Sequence, residues 1–255
     1  MAKSPDRPEL ILFFRNEERP DAQAIRAAMA QLPGSEISHD PETQHGLPAD
    51  WLEILIDGLT FDLVGLSDGS DSPAGNSVSP ALQHYLDCDA SDLSGTRHIK
   101  LVPGPHLTSA RLPLPVARSM MRLGMMLGEH LPGLIAFGWP PSGAVMGRST
   151  FLQMTENWIN GGPFPALGLV TYQIASDGTL ESRGLSLFSG QELRLSPALV
   201  AQGAGAMRLA VRIAHDIAGQ GTLEEKRHFS GPDGMELMAT PDSSGRWIEV
   251  GLVQS

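Results

Sequence analysis

The chain has 255 residues, of which 41% are hydrophobic and 18% charged, and its formal net charge is -11 at pH 7. This composition is typical of a folded globular protein and excludes a largely disordered chain. Because the chain carries only 18 basic residues against 29 acidic ones, general binding to nucleic acid or to an anionic membrane surface is not expected. An acidic surface favours solubility and, where it binds a partner, a basic one.

The cysteine content and the hydropathy both bear on the compartment. Cys88 is the one cysteine, so the chain cannot form an internal disulfide, and a reducing compartment suits it. Residues 1–6 lack the apolar core of a signal peptide. No apolar run approaches the ~20 residues that a membrane span needs. The sequence therefore predicts a soluble, cytoplasmic protein.

The first 66 residues predict a strand, a helix and a hairpin. The apolar run Glu9–Phe14 predicts a buried strand. Asp21 is the expected N-cap of a short amphipathic helix, which Pro33-Gly34 ends. The polar stretch Ser35–Asp50 is interpreted as a surface loop. Asp57-Gly58 lies between two apolar runs and predicts a β-hairpin, because both turn positions tolerate a positive φ.

A segment poor in apolar residues follows the hairpin. Ser67–Pro80 is rich in Ser, Gly and Asp and is expected to be a flexible loop. Ala81–Asp92 is interpreted as one or two helical turns, and His98–Val102 as a strand. We place the boundary between an N-terminal βαββ unit with its loop, residues 1–95, and a C-terminal α+β unit, residues 96–255, in this segment. The two units are expected to form one compact body.

A methionine-rich helix is predicted at Val116–His130. Gly124 and Gly128 lie on one side of it, and each mid-helix glycine costs about 1 kcal/mol relative to alanine. We therefore expect the helix backbone to pack closely on a neighbouring element. The pairs Met120-Met121 and Met125-Met126 are interpreted as adaptable core packing, and an exposed methionine surface is the alternative.

The remaining chain alternates strands and helices. Leu134–Phe137 predicts a strand, Ser149 or Thr150 the cap of the next helix, and Asp177-Gly178 a second hairpin of the same type. Ser196 and Pro197 predict the start of a helix that continues to Ala218. Its inward side is predicted to comprise Leu199, Gly203, Met207, Ala210, Val211, Ala214 and Ile217. A strand is expected at Glu192–Leu195, with three more near Lys226–Phe229, Met235–Ala239 and Trp247–Leu252.

Helices interspersed with hairpins indicate the α+β class. We predict mixed, largely antiparallel sheets with helices packed on one face. Because βαββ units recur, each half of the chain is a candidate for a ferredoxin-like split βαβ arrangement.

No catalytic residue, cofactor or metal ion is predicted. Gly65–Gly69 matches G-x-S-x-G, but a nucleophilic serine at Ser67 would need a helix directly after it, and a flexible loop follows instead. His84 and Cys88 lack the second pair of ligands that a zinc site requires. His130, at a helix C-terminus, would need a partner to act as a general acid or base.

The stretch from residue 139 to residue 158 holds the candidate binding residues. Trp139, Arg148 and Trp158 are of the residue types that anchor protein interfaces. We predict that these three residues bind a protein partner. The alternatives are that both tryptophans lie in the core, or that the three residues line a small-ligand pocket.

The order of features from Leu112 onwards resembles a bacterial family known as domain of unknown function 4261. The likeness includes the Leu-Pro-Leu-Pro entry to the methionine-rich helix, the strand that ends at Trp139, and Gly184–Leu193 with its glycine-leucine, aromatic-glycine and glutamate-aliphatic pattern. Ser189 precedes Gly190 where the family has glycine directly after the aromatic residue. The resemblance covers about the last three-fifths of the chain. It implies a shared fold and no chemistry.

These observations favour a non-catalytic protein-binding module, an adaptor or an immunity-type protein, whose partner presents a basic surface. One alternative is a hydrolase with an unrecognised active site. The other is a structural subunit of a homo-oligomer.

Overall fold

The structure is a computed structural model that describes residues 8–46, 50–67, 81–107, 109, 111–231 and 234–253. It confirms the predicted α+β class, with mixed and largely antiparallel sheets. The chain forms two compact units, Met1–Gly162 and Pro163–Ser255, and each contains its own sheet. Within the described ranges, no helix combines the length and the apolar character required to cross a membrane.

The first unit is built on an eight-stranded sheet. Its strands are β1 (Leu10–Phe14), β2 (Ser35–His39), β3 (Trp51–Ile56), β4 (Leu59–Val64), β5 (His84–Leu86), β6 (Arg97–Pro103), β7 (Leu134–Trp139) and β8 (Ala144–Gly147). They lie in the order β2-β3-β4-β6-β1-β7-β8-β5, and each neighbouring pair is antiparallel except β5 and β8. Strands β1, β5 and β8 therefore run in the same direction. Strands from both sides of residue 95 belong to this sheet, and the compact units divide after Gly162.

The helices of the first unit are α1 (Ala22–Met29), α2 (Pro41–His45), α3 (Leu114–His130) and α4 (Arg148–Ile159). The predicted close packing of α3 is confirmed. A Cβ on Gly124 would lie 2.6 Å from Leu10 Cδ2, and one on Gly128 would lie 2.9 Å from Phe137 Cζ. Only glycine leaves room for these side chains, so α3 lies against the face of the sheet that carries Leu10 and Phe137. The core packing predicted for the two methionine pairs is confirmed for Met120, Met121 and Met126, which are buried, whereas Met125 is half-buried.

Part of the opposite face of the sheet is also covered. A second apolar cluster packs the segment between β4 and β6 against β1, β7 and β8. Its buried members are Ile11, Phe13, Leu82, Leu93, Ala136 and Val145. The corresponding side of β2, β3 and β4 carries half-buried and exposed residues instead.

The second unit contains a six-stranded sheet in the order β12-β13-β14-β11-β10-β9. Its strands are β9 (Thr171–Ile174), β10 (Leu180–Arg183), β11 (Glu192–Leu195), β12 (Arg227–Ser230), β13 (Glu236–Pro241) and β14 (Trp247–Leu252). Its helices are α5 (Ala166–Leu169), α6 (Ser186–Ser189), α7 (Pro197–Val200) and α8 (Ala204–Ala218). Buried residues of β11 and β14, such as Leu193 and Ile248, supply its core. The ferredoxin-like halves are not confirmed by these two sheets.

The hairpin at Asp57-Gly58 has the predicted conformation, with φ of 53° and 76° at its two residues. The hairpin at Asp177-Gly178 is present, but the prediction of the same turn type was wrong. There only Gly178 has a positive φ, 82°, and its N–H donates to Ala175 O at 3.0 Å. The connection between β9 and β10 is longer than two residues, so it does not require the two-residue turn.

The interpretation of Ser35–Asp50 as a loop was wrong. The stretch forms the edge strand β2 and the short helix α2. Asp40 caps α2, because its Oδ1 accepts the Glu42 N–H at 3.0 Å, while its Oδ2 accepts Arg26 Nε at 2.7 Å. An edge strand buries little, so its sequence is mostly polar and resembles a loop.

The helical turns expected at Ala81–Asp92 were also wrong. This stretch forms β5, parallel to β8, followed by turns. Asp87 adopts a positive φ of 56°, and the Asp89 carboxylate accepts the Ser91 N–H at 2.8 Å. Asp and Ser side chains commonly compete with helical hydrogen bonds in this way.

The helix predicted from Ser196 to Ala218 is two helices, α7 and α8. Gly203 separates them with φ 70° and ψ -132°, a conformation that side-chain-bearing residues rarely adopt. The break rotates the buried side of the second helix relative to the prediction. Met207 is 39% exposed, whereas Ile213, which was not predicted to face inward, is buried.

Candidate functional site

The three predicted partner-binding residues differ in exposure. Trp139 is 1% exposed and Trp158 is 2% exposed, and the Arg118 guanidinium lies 5.2 Å above the Trp158 ring. Arg148 is exposed, and its Nε donates to Gly128 O at 3.0 Å. Of the three residues, therefore, only Arg148 offers an accessible side chain to a partner.

Trp51 is more accessible than Trp139 and Trp158, the other tryptophans of the first unit. It was not singled out from the sequence as a binding residue. It is half-buried at the start of β3 and stacks on His39, with 5.0 Å between the ring centroids and 25° between the planes. A signal for this position exists in the sequence. Leu52, Ile54 and Ile56 take the inward positions of β3, so the alternation of a strand places Trp51 on the other side.

We name this side of β2, β3 and β4, which faces away from α3, the open face. Its members follow from the strand pairing and the alternation of side chains. They are Glu36, His39, Trp51, Glu53, Leu55, Thr60, Asp62 and Val64.

Two carboxylates lie side by side on the open face. Glu53 on β3 pairs directly with Asp62 on β4, and Glu53 Oε1 accepts the Ser38 hydroxyl at 2.7 Å. Asp62 Oδ1 is buried and has no hydrogen-bond partner among the residues that the structure describes. Burial raises the pKa of Asp62, and the negative charge of Glu53 raises it further, while His106 and His39 oppose the shift.

A second polar atom on the same strand is also unsatisfied. Thr60 Oγ1 is buried and lacks a hydrogen-bond partner in the described part of the chain. It lies so close to Gly104 that a Cβ there would come within 2.5 Å of it. The ammonium group of Lys100, on the neighbouring strand β6, is engaged elsewhere, since its Nζ lies 3.1 Å from Glu9 Oε2. The open face thus holds acceptor capacity that the described residues do not fill.

The serine of the G-x-S-x-G match lies in a turn stabilised by other side chains. Ser67 Oγ donates to Asp50 Oδ1 at 2.7 Å. Arg19 donates to the carbonyl oxygens of Gly65 and Ser67, the latter at 3.0 Å. These contacts hold Ser67 in place, between Asp50 and Arg19. Residues 68–80, including most of the predicted flexible loop, lie outside the described residues.

The other titratable candidates are dispersed. His84 lies on β5, and the Cys88 thiol is directed to Val145 O at 3.8 Å, with its pKa raised mainly by burial. His130 Nδ1 lies 2.9 Å from Met126 O, within its own helix. Across the described ranges, no group of three or more His, Cys, Asp or Glu side chains is arranged to hold a metal ion.

The segment that carries the family resemblance forms a structural hydrogen-bond cluster. Glu192 Oε1 accepts the N–H groups of Gly184 at 2.8 Å and Ser186 at 3.1 Å. Its Oε2 accepts the Ser182 hydroxyl at 2.5 Å and the Leu185 N–H at 3.2 Å. A carboxylate that accepts this many hydrogen bonds orders the loop before α6. The Gly184–Leu193 pattern therefore has a role in the fold.

No protein-family model, curated protein or solved structure matches this chain. The resemblance to the domain of unknown function 4261 family stays a prediction.

Proposed function

We propose that this protein is a protein-binding module, of the adaptor or immunity type, whose open face receives a basic segment of a partner protein. The observation that carries the proposal is the buried Oδ1 of Asp62, to which none of the described residues donates a hydrogen bond. An unsatisfied buried acceptor costs about 1–3 kcal/mol, and more when it is charged. A lysine or arginine of the partner that lies against the paired Asp62 and Glu53 carboxylates would offset the repulsion between them.

The apolar residues of the open face suit an interface core. Trp51 is half-buried, and Leu55 and Val64 on the neighbouring positions are half-buried as well. Interfaces place aromatic anchors and apolar area at their centre and charged groups towards the rim. In this proposal Trp51 is the anchor, and Asp62 and Glu53 select a basic partner.

The overall charge supports the same partner class. A net charge of -11 would accelerate encounters with a basic protein, and added salt would slow them. The proposal includes a cytoplasmic setting, because a chain with a single cysteine suits a reducing compartment.

Selection from a random peptide display library tests the proposal and does not require a purified partner. The wild-type protein would be the target, and the Asp62→Asn variant would be used for counter-selection. We expect the enriched peptides to carry lysine or arginine. We expect Asp62→Asn to weaken their binding about tenfold, because it removes the charge that a cationic donor would neutralise.

A matched control separates the site from the overall charge. Glu156 is exposed on α4, away from the open face, and Glu156→Gln should change the affinity by less than about twofold. Trp51→Ala should weaken the same peptides. Enrichment of peptides without net positive charge, or equal binding to wild type and Asp62→Asn, would show the proposal to be wrong.

A further inference from the structure

A row of three titratable side chains crosses the open face. His39 on β2 pairs with Glu53 on β3, and Glu53 pairs with Asp62 on β4. Residues that pair directly across neighbouring strands point to the same side of the sheet, with Cβ atoms about 4.5–5.5 Å apart. One imidazole therefore lies at the end of the pair of carboxylates.

A second imidazole approaches from the other side of the row. His106 lies in the single 3-10 turn Pro105–Leu107, which follows β6. A Cβ on Gly104 would lie 2.5 Å from Thr60 Oγ1 and 3.3 Å from His106 Cε1, so the imidazole lies beside this hydroxyl. Thr60 and Asp62 point to the same side of β4, because they are two residues apart. Both histidines act on the Asp62 carboxyl and oppose the rise of its pKa that burial and Glu53 cause.

The other charged groups on this side of the sheet keep their charge near neutral pH. Glu36 lies on β2 and Lys100 on β6, and carboxylate and ammonium groups of this kind titrate far from pH 7. A third histidine, His98 on β6, belongs to the covered part of the sheet, since its ring centroid lies 5.9 Å from that of Phe13.

Protonation of the two imidazoles would change what the open face offers to a partner. A cationic imidazole beside Glu53 and Asp62 offsets the repulsion between these carboxylates, which is the effect expected of the partner's lysine or arginine. The imidazolium groups and the partner therefore compete for the same negative charge, and they also repel each other. Because linkage is reciprocal, binding of a basic segment must then release protons from the protein.

We propose that His39 and His106 make the open face pH-responsive, so that it binds its basic partner in neutral and mildly alkaline solution and releases it in mildly acidic solution. This inference rests on the proposed function and adds a regulation to it. Histidine suits the role, because its charge changes between about pH 5 and pH 8, whereas that of the partner's lysine or arginine does not.

The affinity of one basic peptide at two pH values tests the inference. The probe would be a lysine- or arginine-containing peptide from the display selection, acetylated and amidated and free of histidine and acidic residues, so that its own charge stays constant. We expect the Kd to be about fivefold higher at about pH 6 than at about pH 8, at low ionic strength. Calorimetry near pH 6.5 in two buffers of different ionisation enthalpy should show that binding releases protons.

Variants assign the pH dependence to the two histidines. In the double variant His39→Gln/His106→Gln, the ratio of the two Kd values should fall below about twofold, and proton release should largely disappear. The ratio is taken within each variant, so a change in overall affinity does not affect it. His228→Gln, at an exposed position of β12 in the second unit, should keep the full ratio. Circular dichroism at both pH values would show that the variants fold.

The outcomes separate this inference from the function on which it rests. Peptide binding at about pH 8 with the same Kd at about pH 6 would overturn the pH response and leave the proposed function standing. An undiminished ratio in the double variant would assign the response to the carboxylates and would also overturn the inference. If basic peptides do not bind even at about pH 8, the proposed function is wrong and the regulation falls with it.

Discussion

The two sheets each expose a tryptophan on one side, but they treat the charges around it differently. In the second unit, Arg194 lies 4.2 Å from the centre of the Trp247 ring, with its Nη2 2.8 Å from Glu181 Oε1 and its Nη1 3.7 Å from Glu249 Oε1. We call this the Arg194 face. On the open face of the first unit, Glu53 and Asp62 lie beside Trp51, and Asp62 Oδ1 accepts no hydrogen bond from the part of the chain that the structure describes.

The difference in charge pairing gives the Arg194 face and the open face different expected roles, one in stability and the other in binding. Charges that are paired within a unit make an ordinary solvated face, and their removal should reduce stability. Charges that are left unpaired in the free protein cost stability and can be offset by a partner. The comparison therefore predicts that removing a charge from the Arg194 face lowers the free energy of unfolding, whereas removing the Asp62 charge from the open face raises it.

The largest effect is expected at Glu192, whose carboxylate accepts hydrogen bonds from the loop before α6. Glu192→Ala should reduce the stability of the second unit by about 2–4 kcal/mol, because several donors lose a charged acceptor. Hydrogen exchange of residues 182–195 and denaturant unfolding would measure it. Glu225→Ala, at an exposed position of the same unit, should stay within about 0.5 kcal/mol. Equal effects of the two variants would contradict a structural role for Glu192.

A smaller loss is expected from Arg194→Met on the Arg194 face. The variant keeps apolar contact with Trp247 but removes the ion pair with Glu181 and the cation–π contact, which together contribute about 1 kcal/mol at a partly exposed site. Denaturant unfolding at low and high salt would measure it, and the loss should shrink at high salt.

The same variant sharpens the comparison through binding. Without Arg194, Glu181 and Glu249 lose their cation, so the Arg194 face should begin to bind lysine- and arginine-containing peptides. An Asp62→Asn background would isolate this new binding from that of the open face. If no new binding appears there, unpaired carboxylates beside a tryptophan are not sufficient to attract a basic partner.

The smallest effect, with the opposite sign, is expected at Asp62. Its pKa is raised in the folded protein above its unfolded value of about 3.9, so ionisation opposes folding. The penalty is absent below the unfolded pKa and grows as the pH rises through the folded pKa. Asp62→Asn should therefore increase stability by about 0.5 kcal/mol at neutral pH, after allowance for solvent screening, and by less in acid. Unfolding curves across this pH range would measure it.

Asp40, a carboxylate with a cationic partner, is the control for the predicted gain in stability at Asp62. The Arg26 guanidinium holds the pKa of Asp40 below its ordinary value, so this carboxylate stabilises the fold above the unfolded pKa, and the contribution is lost as the pH falls through the folded one. Asp40→Asn should destabilise the protein at neutral pH and have less effect in acid. If Asp40→Asn and Asp62→Asn shift stability in the same direction, the distinction between paired and unpaired carboxylates does not hold.

The predictions that succeeded rest on local chemistry. Asp57-Gly58 forms its turn because both residues accept a positive φ, and Asp21 caps α1 by accepting the Ala24 N–H at 2.7 Å. Two of the predictions that failed, for Ser35–Asp50 and Ala81–Asp92, concern segments that form strands by pairing with distant residues. The strand β5, at His84–Leu86, exists because β8 lies beside it, and β8 comes from residues about 60 positions later in the chain.

The candidate sites show the same limit. Alternation along β3 and β4 is visible in the sequence and would have placed Trp51 and Asp62 on the side opposite Leu52 and Ile54. Whether Asp62 finds a donor depends on what approaches it from elsewhere, as His106 does.

The sequence by itself determined the α+β class, the two hairpins, most helices and strands, and the acidic charge that favours a basic partner. These features follow from neighbouring residues and from composition, which act over a few positions of the chain. The tertiary structure decided the strand order, the burial of Trp139 and Trp158, and the burial of Asp62 Oδ1 away from the hydrogen-bond donors of the described residues. Burial and pairing depend on contacts between residues far apart in the chain, so only the folded arrangement specifies them.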